Sequence, residues 1–138
     1  MITNSDIDVL SRVHLSNHFT LGEMLNTSYL ALQRYPTSKQ LINLVLLCAQ
    51  MEVVRTFLNR PIYISSGYRS ALLNKKVGGV DSSGHTLGNA ADFPCSEAEF
   101  FKLKANIEYD QLIFYKKRSF CHLGIADVCR HQAFVYNS

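Results

Sequence analysis

The sequence predicts a single α+β domain, with one long helix and several short ones packed on a small, mainly antiparallel sheet. Three observations carry this. Apolar residues between Leu41 and Leu58 recur at spacings of three and four, the period of one helix face. Short β-branched and aromatic runs, separated by turn residues, fill the last third of the chain. A length of 138 residues suits one core and leaves little room for a second.

Taken in order, residues 1–18 are polar and irregular and read as a mobile arm. Thr20 and Glu23 have capping-box spacing, so a short helix opens there and runs through Leu25. Ala31–Arg34 is either a second helix or a loop. After Pro36-Thr37-Ser38, a long helix is expected from Lys39 to Asn59, with Leu41, Leu44, Val45, Cys48, Met51, Val54, Arg55 and Leu58 on one face. Pro61–Ser65 reads as a strand and Ser66–Ser70 as a turn, with Ser70 capping a short helix through Lys76. Gly78–Gly84 is a flexible loop, and Asn89–Phe93 is a short strand. Ser96 and Glu99 form another capping box for a helix over 97–105. Strands are expected at Gln111–Tyr115, Ser119–Ile125 and Gln132–Tyr136, the first two joined by Lys116-Lys117-Arg118.

The composition narrows the function classes. The net charge of +3 is a mild excess that suits a polyanionic surface such as a cell wall, and no Lys/Arg block of nucleic-acid type is present. The N-terminus lacks a basic region followed by an apolar core, so the expectation is synthesis in a cytoplasm without a secretory signal. Leu41–Leu58 is the most apolar stretch, and its Asn43, Gln50, Glu52 and Arg55 argue against a membrane span. Cys48, Cys95, Cys121 and Cys129 include no Cys-x-x-Cys pair, which argues against a zinc ribbon. Free thiols are expected, with a Cys121–Cys129 bridge as the alternative. A monomer is the default expectation.

The run Ser83-Gly84-His85-Thr86-Leu87-Gly88-Asn89-Ala90-Ala91-Asp92-Phe93 carries the chemistry. His85 alone reads as a surface-loop residue. Asp92 lies in an apolar strand, where a carboxylate needs a metal or an Arg as partner. His122 sits between Phe120 and Leu123, either as a satisfied core histidine or as a ligand. Together, two imidazoles and a carboxylate make a three-ligand zinc set that leaves a fourth position for water.

These residues stand in a wider pattern. Ser65-Ser66-Gly67-Tyr68-Arg69-Ser70, Asn74, the His85-to-Asp92 run, Tyr109-Asp110-Gln111-Leu112-Ile113 and His122 follow in that order. With Leu15-Ser16-Asn17-His18-Phe19-Thr20-Leu21-Gly22-Glu23 and the long helix, they resemble the M15 family of zinc D-alanyl-D-alanine carboxypeptidases, which includes phage endolysins that cut the stem peptide of peptidoglycan. The resemblance implies that His85, Asp92 and His122 bind zinc. It also implies that Arg69 holds a substrate carboxylate or carbonyl, and that Ser83 either donates a hydrogen bond to substrate or stabilises its loop. The expected partner is a stem peptide, and a phage origin with release to the wall fits the small size.

One group departs from the family pattern. Relatives carry a Glu near the final His, either three residues before it or at the end of the preceding strand. Here those positions are Ser119 and Tyr115, and the small hydroxyl residue often found two positions after that His is Gly124. Loss of a general base costs ~10²–10⁴-fold in rate. Glu108 and Asp127 are the acidic substitutes nearby, and Tyr115 is the candidate to polarise a carbonyl or act as a weak acid. Two readings follow: a zinc peptidase of stem peptides, or a zinc-containing wall-binding or protein-interaction module with impaired turnover.

Overall fold

A computed structural model describes all residues, 1–138. The elements are α1 (Asn4–Leu10), α2 (Leu21–Leu25), a 3-10 turn (Leu30–Leu32), α3 (Ser38–Leu58), α4 (Ala71–Lys76), α5 (Gly84–Leu87), β1 (Ala90–Pro94), α6 (Glu97–Asn106), β2 (Gln111–Tyr115), β3 (Phe120–Gly124) and β4 (Gln132–Tyr136). The α+β class and the mainly antiparallel sheet agree with expectation. Strand order is β1-β3-β2-β4, with β1–β3 and β3–β2 antiparallel and β2–β4 parallel. The edge of β3 away from β2 is occupied by β1. The chain leaving β3 therefore crosses back and joins the free edge of β2.

Alternation along the strands divides the sheet into two faces. Ala91, Phe93, Leu112, Phe114, Cys121 and Leu123 face the helices. There they meet Leu44, Leu47, Cys48, Met51 and Val54 of α3, and Phe100 and Leu103 of α6. The intervening residues Asp92, Ile113, Tyr115, Phe120 and His122 face the opposite way and line a cleft.

Four sequence expectations need correction. Residues 1–18 are not a mobile arm. Thr3 and Asp6 cap α1 reciprocally, Ile2, Ile7 and Phe19 are buried, and Glu52 of α3 binds Ser16 Oγ, His18 N and His18 Nδ1. Composition hid this because the anchoring residues are few and widely spaced. Residues 61–65 are not a strand. Ile62 and Ile64 are buried and Tyr63 is exposed, as alternation requires, but the segment reaches β1 only through an isolated bridge between Ser66 and Asp92. On α3, Val45 is 41% exposed and Leu47 is fully buried, because the packed stripe runs through Leu44, Leu47, Cys48, Met51 and Val54. His85 is not a surface-loop residue, since Gly84–Leu87 forms α5 and buries it. All four cysteines are free thiols.

By length and composition α3 could cross a membrane. In this fold it is the central core helix, with its apolar stripe against the sheet and α6. The polar residues noted in the sequence lie on its outer surface or make contacts such as Gln50 Nε2 to Glu108 O.

Candidate metal centre

The strand register brings two of the three predicted ligands together: Asp92 of β1 lies directly opposite His122 of β3. The third comes from α5. Ser83 Oγ accepts the His85 backbone N–H at the start of this turn, and Gly88 ends it at φ +77°. That left-handed turn requires glycine for space as well, because a Cβ there would stand 2.6 Å from Gln40 O. Gln40 Nε2 donates to Thr86 O and Asn43 Nδ2 to Leu87 O, so the start of α3 holds α5 from outside.

The donor atoms converge. Asp92 Oδ1 lies 2.8 Å from His122 Nδ1 and 3.2 Å from His85 Nε2. The three ligand atoms lie within 4.8 Å of one another. Tetrahedral zinc with ligands at about 2 Å sets neighbouring donors about 3.3 Å apart, so the N,N,O set fits zinc. His85 Nδ1 contacts Gly67 O at 2.7 Å, which directs Nε2 inward. His85 is 2% exposed and Asp92 9%. Burial alone pushes the Asp92 carboxyl up, but hydrogen bonds from His122 and His85, with their charge, outweigh it. The net effect holds the carboxyl well below the usual carboxylate range, as a metal-ligating carboxylate requires.

Arg69 stands beside this set, its Nη2 3.8 Å from Asp92 Oδ2. Its Nε donates to Ser66 Oγ and its Nη1 to Asn74 Oδ1. The turn that carries it is held by Gln33, a fully buried amide that donates to Leu25 O and Tyr68 O and accepts from Ser70 N. Gln33 and the Gly67 carbonyl were not legible in the sequence. A lone Gln after a short turn carries no periodic signal, and a backbone acceptor carries no residue identity. Asn74, quoted for the resemblance, acquires a role as the partner of Arg69.

The cleft around the ligands has a volume of about 680 Å³. Its walls include Gly78, Gly79, Val80, Ser82 and Ser83 of the loop, together with Tyr115, Arg118 and Arg130. The Ser83 hydroxyl oxygen is used as the α5 cap, and the residue lines the cleft. Tyr115 stacks on Phe120 at 4.5 Å and meets Tyr136 at a tilt, 5.6 Å between ring centroids. Burial raises the Tyr115 phenol above its ordinary value, the nearby Asp92 and Tyr136 add to this, and Arg118 and Arg69 oppose it. The phenol is therefore neutral at neutral pH, a donor and not a base.

Asp92 is the one acidic residue in the cleft wall. Glu108 points outward, 79% exposed and 3.6 Å from His131. Asp127 is exposed on the β3–β4 connection. Neither supplies the missing carboxylate. Asp110 is nearly buried and bound by Arg130 through Nε and Nη2, and by the Arg130 backbone N–H.

No curated protein matches the chain. A family model described as peptidase M15 matches residues 17–124, from the segment that Glu52 anchors to the last residue of β3. That match takes in all three ligands and Arg69, and it covers well over half of the sequence: the chain belongs to the peptidase M15 family.

Proposed function

We propose that this chain is a zinc-dependent peptidase of peptidoglycan stem peptides, of the D-alanyl-D-alanine carboxypeptidase or endolysin type. The family as a whole consists of zinc peptidases acting on peptidoglycan peptides, and the donor set here fits zinc. The observation that carries the reading is the convergence of His85 Nε2, Asp92 Oδ1 and His122 Nδ1 beside Arg69 in one cleft.

When bound, zinc supplies an acidified water, with a pKa of about 7, and a Lewis acid for the substrate carbonyl. The chain's own residues do the rest. Arg69, fixed by Ser66 and Asn74, donates to a carbonyl or carboxylate oxygen of the peptide. Tyr115, kept neutral, donates a hydrogen bond to the oxygen on which charge develops. Peptide hydrolysis also needs a group to carry a proton from water to the departing amine, and no second carboxylate in the cleft offers one. Turnover is therefore slow for this family.

That same bare wall favours a second reading, in which the cleft binds stem peptides and rarely cleaves them. The two separate on one experiment. Metal-replete protein is incubated with purified peptidoglycan and with a D-Ala-D-Ala peptide, with and without chelator, and new amino and carboxyl ends are counted. Slow chelator-sensitive release is expected. Peptide binding without release at full zinc occupancy would establish the second reading.

A further inference from the structure

A second cavity of about 520 Å³ adjoins the metal cleft. The two share Arg69, Val77, Asp92, Arg118 and Phe120, so the space continues past Arg69 instead of ending there. It runs between the Asn26–Tyr29 loop and the β2–β3 turn, and each cavity alone is the size of a small-ligand site. A terminal carboxylate held at Arg69 would leave this second space empty. Arg69 is also poorly disposed to fork a carboxylate, since its Nε is bound to Ser66 and its Nη2 faces Asp92.

The second cavity has both polar and apolar walls and carries a net positive charge. Asn26, Thr27, Ser28, Ser65 and Ser119 line it with Tyr29, whose ring lies under the Lys76 ammonium. Its one acid, Asp92, is engaged by two histidines. The arginines around both cavities differ in what they do. Arg130 is bound by Asp110, and Arg69 by Ser66, Asn74 and Asp92. Arg118 has no acidic partner. Its guanidinium rests 5.0 Å from the centroid of the Phe120 ring, at the junction of the two spaces. An aromatic face orients a guanidinium without neutralising it.

We propose that this second cavity is a substrate subsite for a peptide segment bearing a free carboxylate, with Arg118 as the residue that reads it. The inference rests on the stem-peptide reading and sharpens it, because the scissile bond then lies inside the bound chain, with residues on both sides of the metal.

The test is calorimetric titration of zinc-loaded protein with two stem peptides that differ only at the γ-linked D-glutamate, whose α-carboxylate is either free or amidated. Wild type is expected to bind the free acid two- to five-fold tighter, about the strength of one exposed ion pair. Arg118→Gln is expected to bind both peptides as wild type binds the amide. Arg118 is exposed on a turn, and an unchanged thermal midpoint and zinc stoichiometry will show that the variant is folded. Equal wild-type affinities, or discrimination that survives in Arg118→Gln, would overturn the subsite. Binding of neither peptide would overturn the stem-peptide reading itself and the subsite with it.

Discussion

His85, Asp92 and His122 are each fixed by more than one neighbour, through a backbone carbonyl, a shared carboxylate oxygen and a strand register. Across the cleft, Tyr115 and Arg118 rest on aromatic rings, and Arg118 has no acidic partner at all. The first wall is preorganised for a cation whose position leaves little tolerance. The second presents donors and π-faces, and it lacks the group that would move a proton. The residues that converge on the candidate metal site are thus separate from the wall on which a proton carrier would stand, and that wall holds no second carboxylate.

The largest expected effect breaks that contrast directly. Tyr115→Glu places a carboxylate on the bare wall, and kcat/KM for peptide hydrolysis is expected to rise by ~10²–10⁴-fold with zinc affinity unchanged. No gain in a zinc-loaded variant would mean that proton transfer does not limit the reaction. Next, His122→Ala attacks the ordered wall. Even partners outside the ligand set commonly cost 10–100-fold in metal affinity, so loss of this ligand is expected to exceed about 100-fold by competitive zinc titration. Retention of tight zinc binding would remove His122 from the set. The smallest effect tests the support of the ordered wall. Gly88→Ala forces a side chain onto a left-handed turn against Gln40 O. A cost of about 1–3 kcal/mol in thermal unfolding is expected, together with weakened zinc uptake as α5 shifts. Lower stability with unaltered zinc affinity would show that α5 positions His85 without help from its cap.

The sequence carried the helices and the sheet strands well wherever a local rule operates. Thr20 with Glu23 and Ser96 with Glu99 form the capping boxes their spacing predicts. Thr3 with Asp6 obeys the same rule, but the polar residues around it mask the short helix that it opens. The strand expected at 61–65 had the right alternation and lacked a partner, and pairing is a property of the fold, not of the segment. The His85, Asp92 and His122 cluster was legible because two histidines and an aspartate stood in a recognisable order. Gln33, which ties three backbone segments, was not, since its partners are main-chain groups contributed by distant residues. The absent carboxylate was legible as Ser119 and Tyr115, and only the structure excluded Glu108 and Asp127 as replacements.

The two-faced sheet has an evolutionary consequence. Asp92 and Phe93 are adjacent in β1, one serving the ligand set and the other the apolar interior. One residue inserted within the strand would reverse both assignments, driving a carboxylate into the oily layer and a phenyl ring toward the cation. β1 and β3 therefore admit no change in length that spares either folding or metal capture.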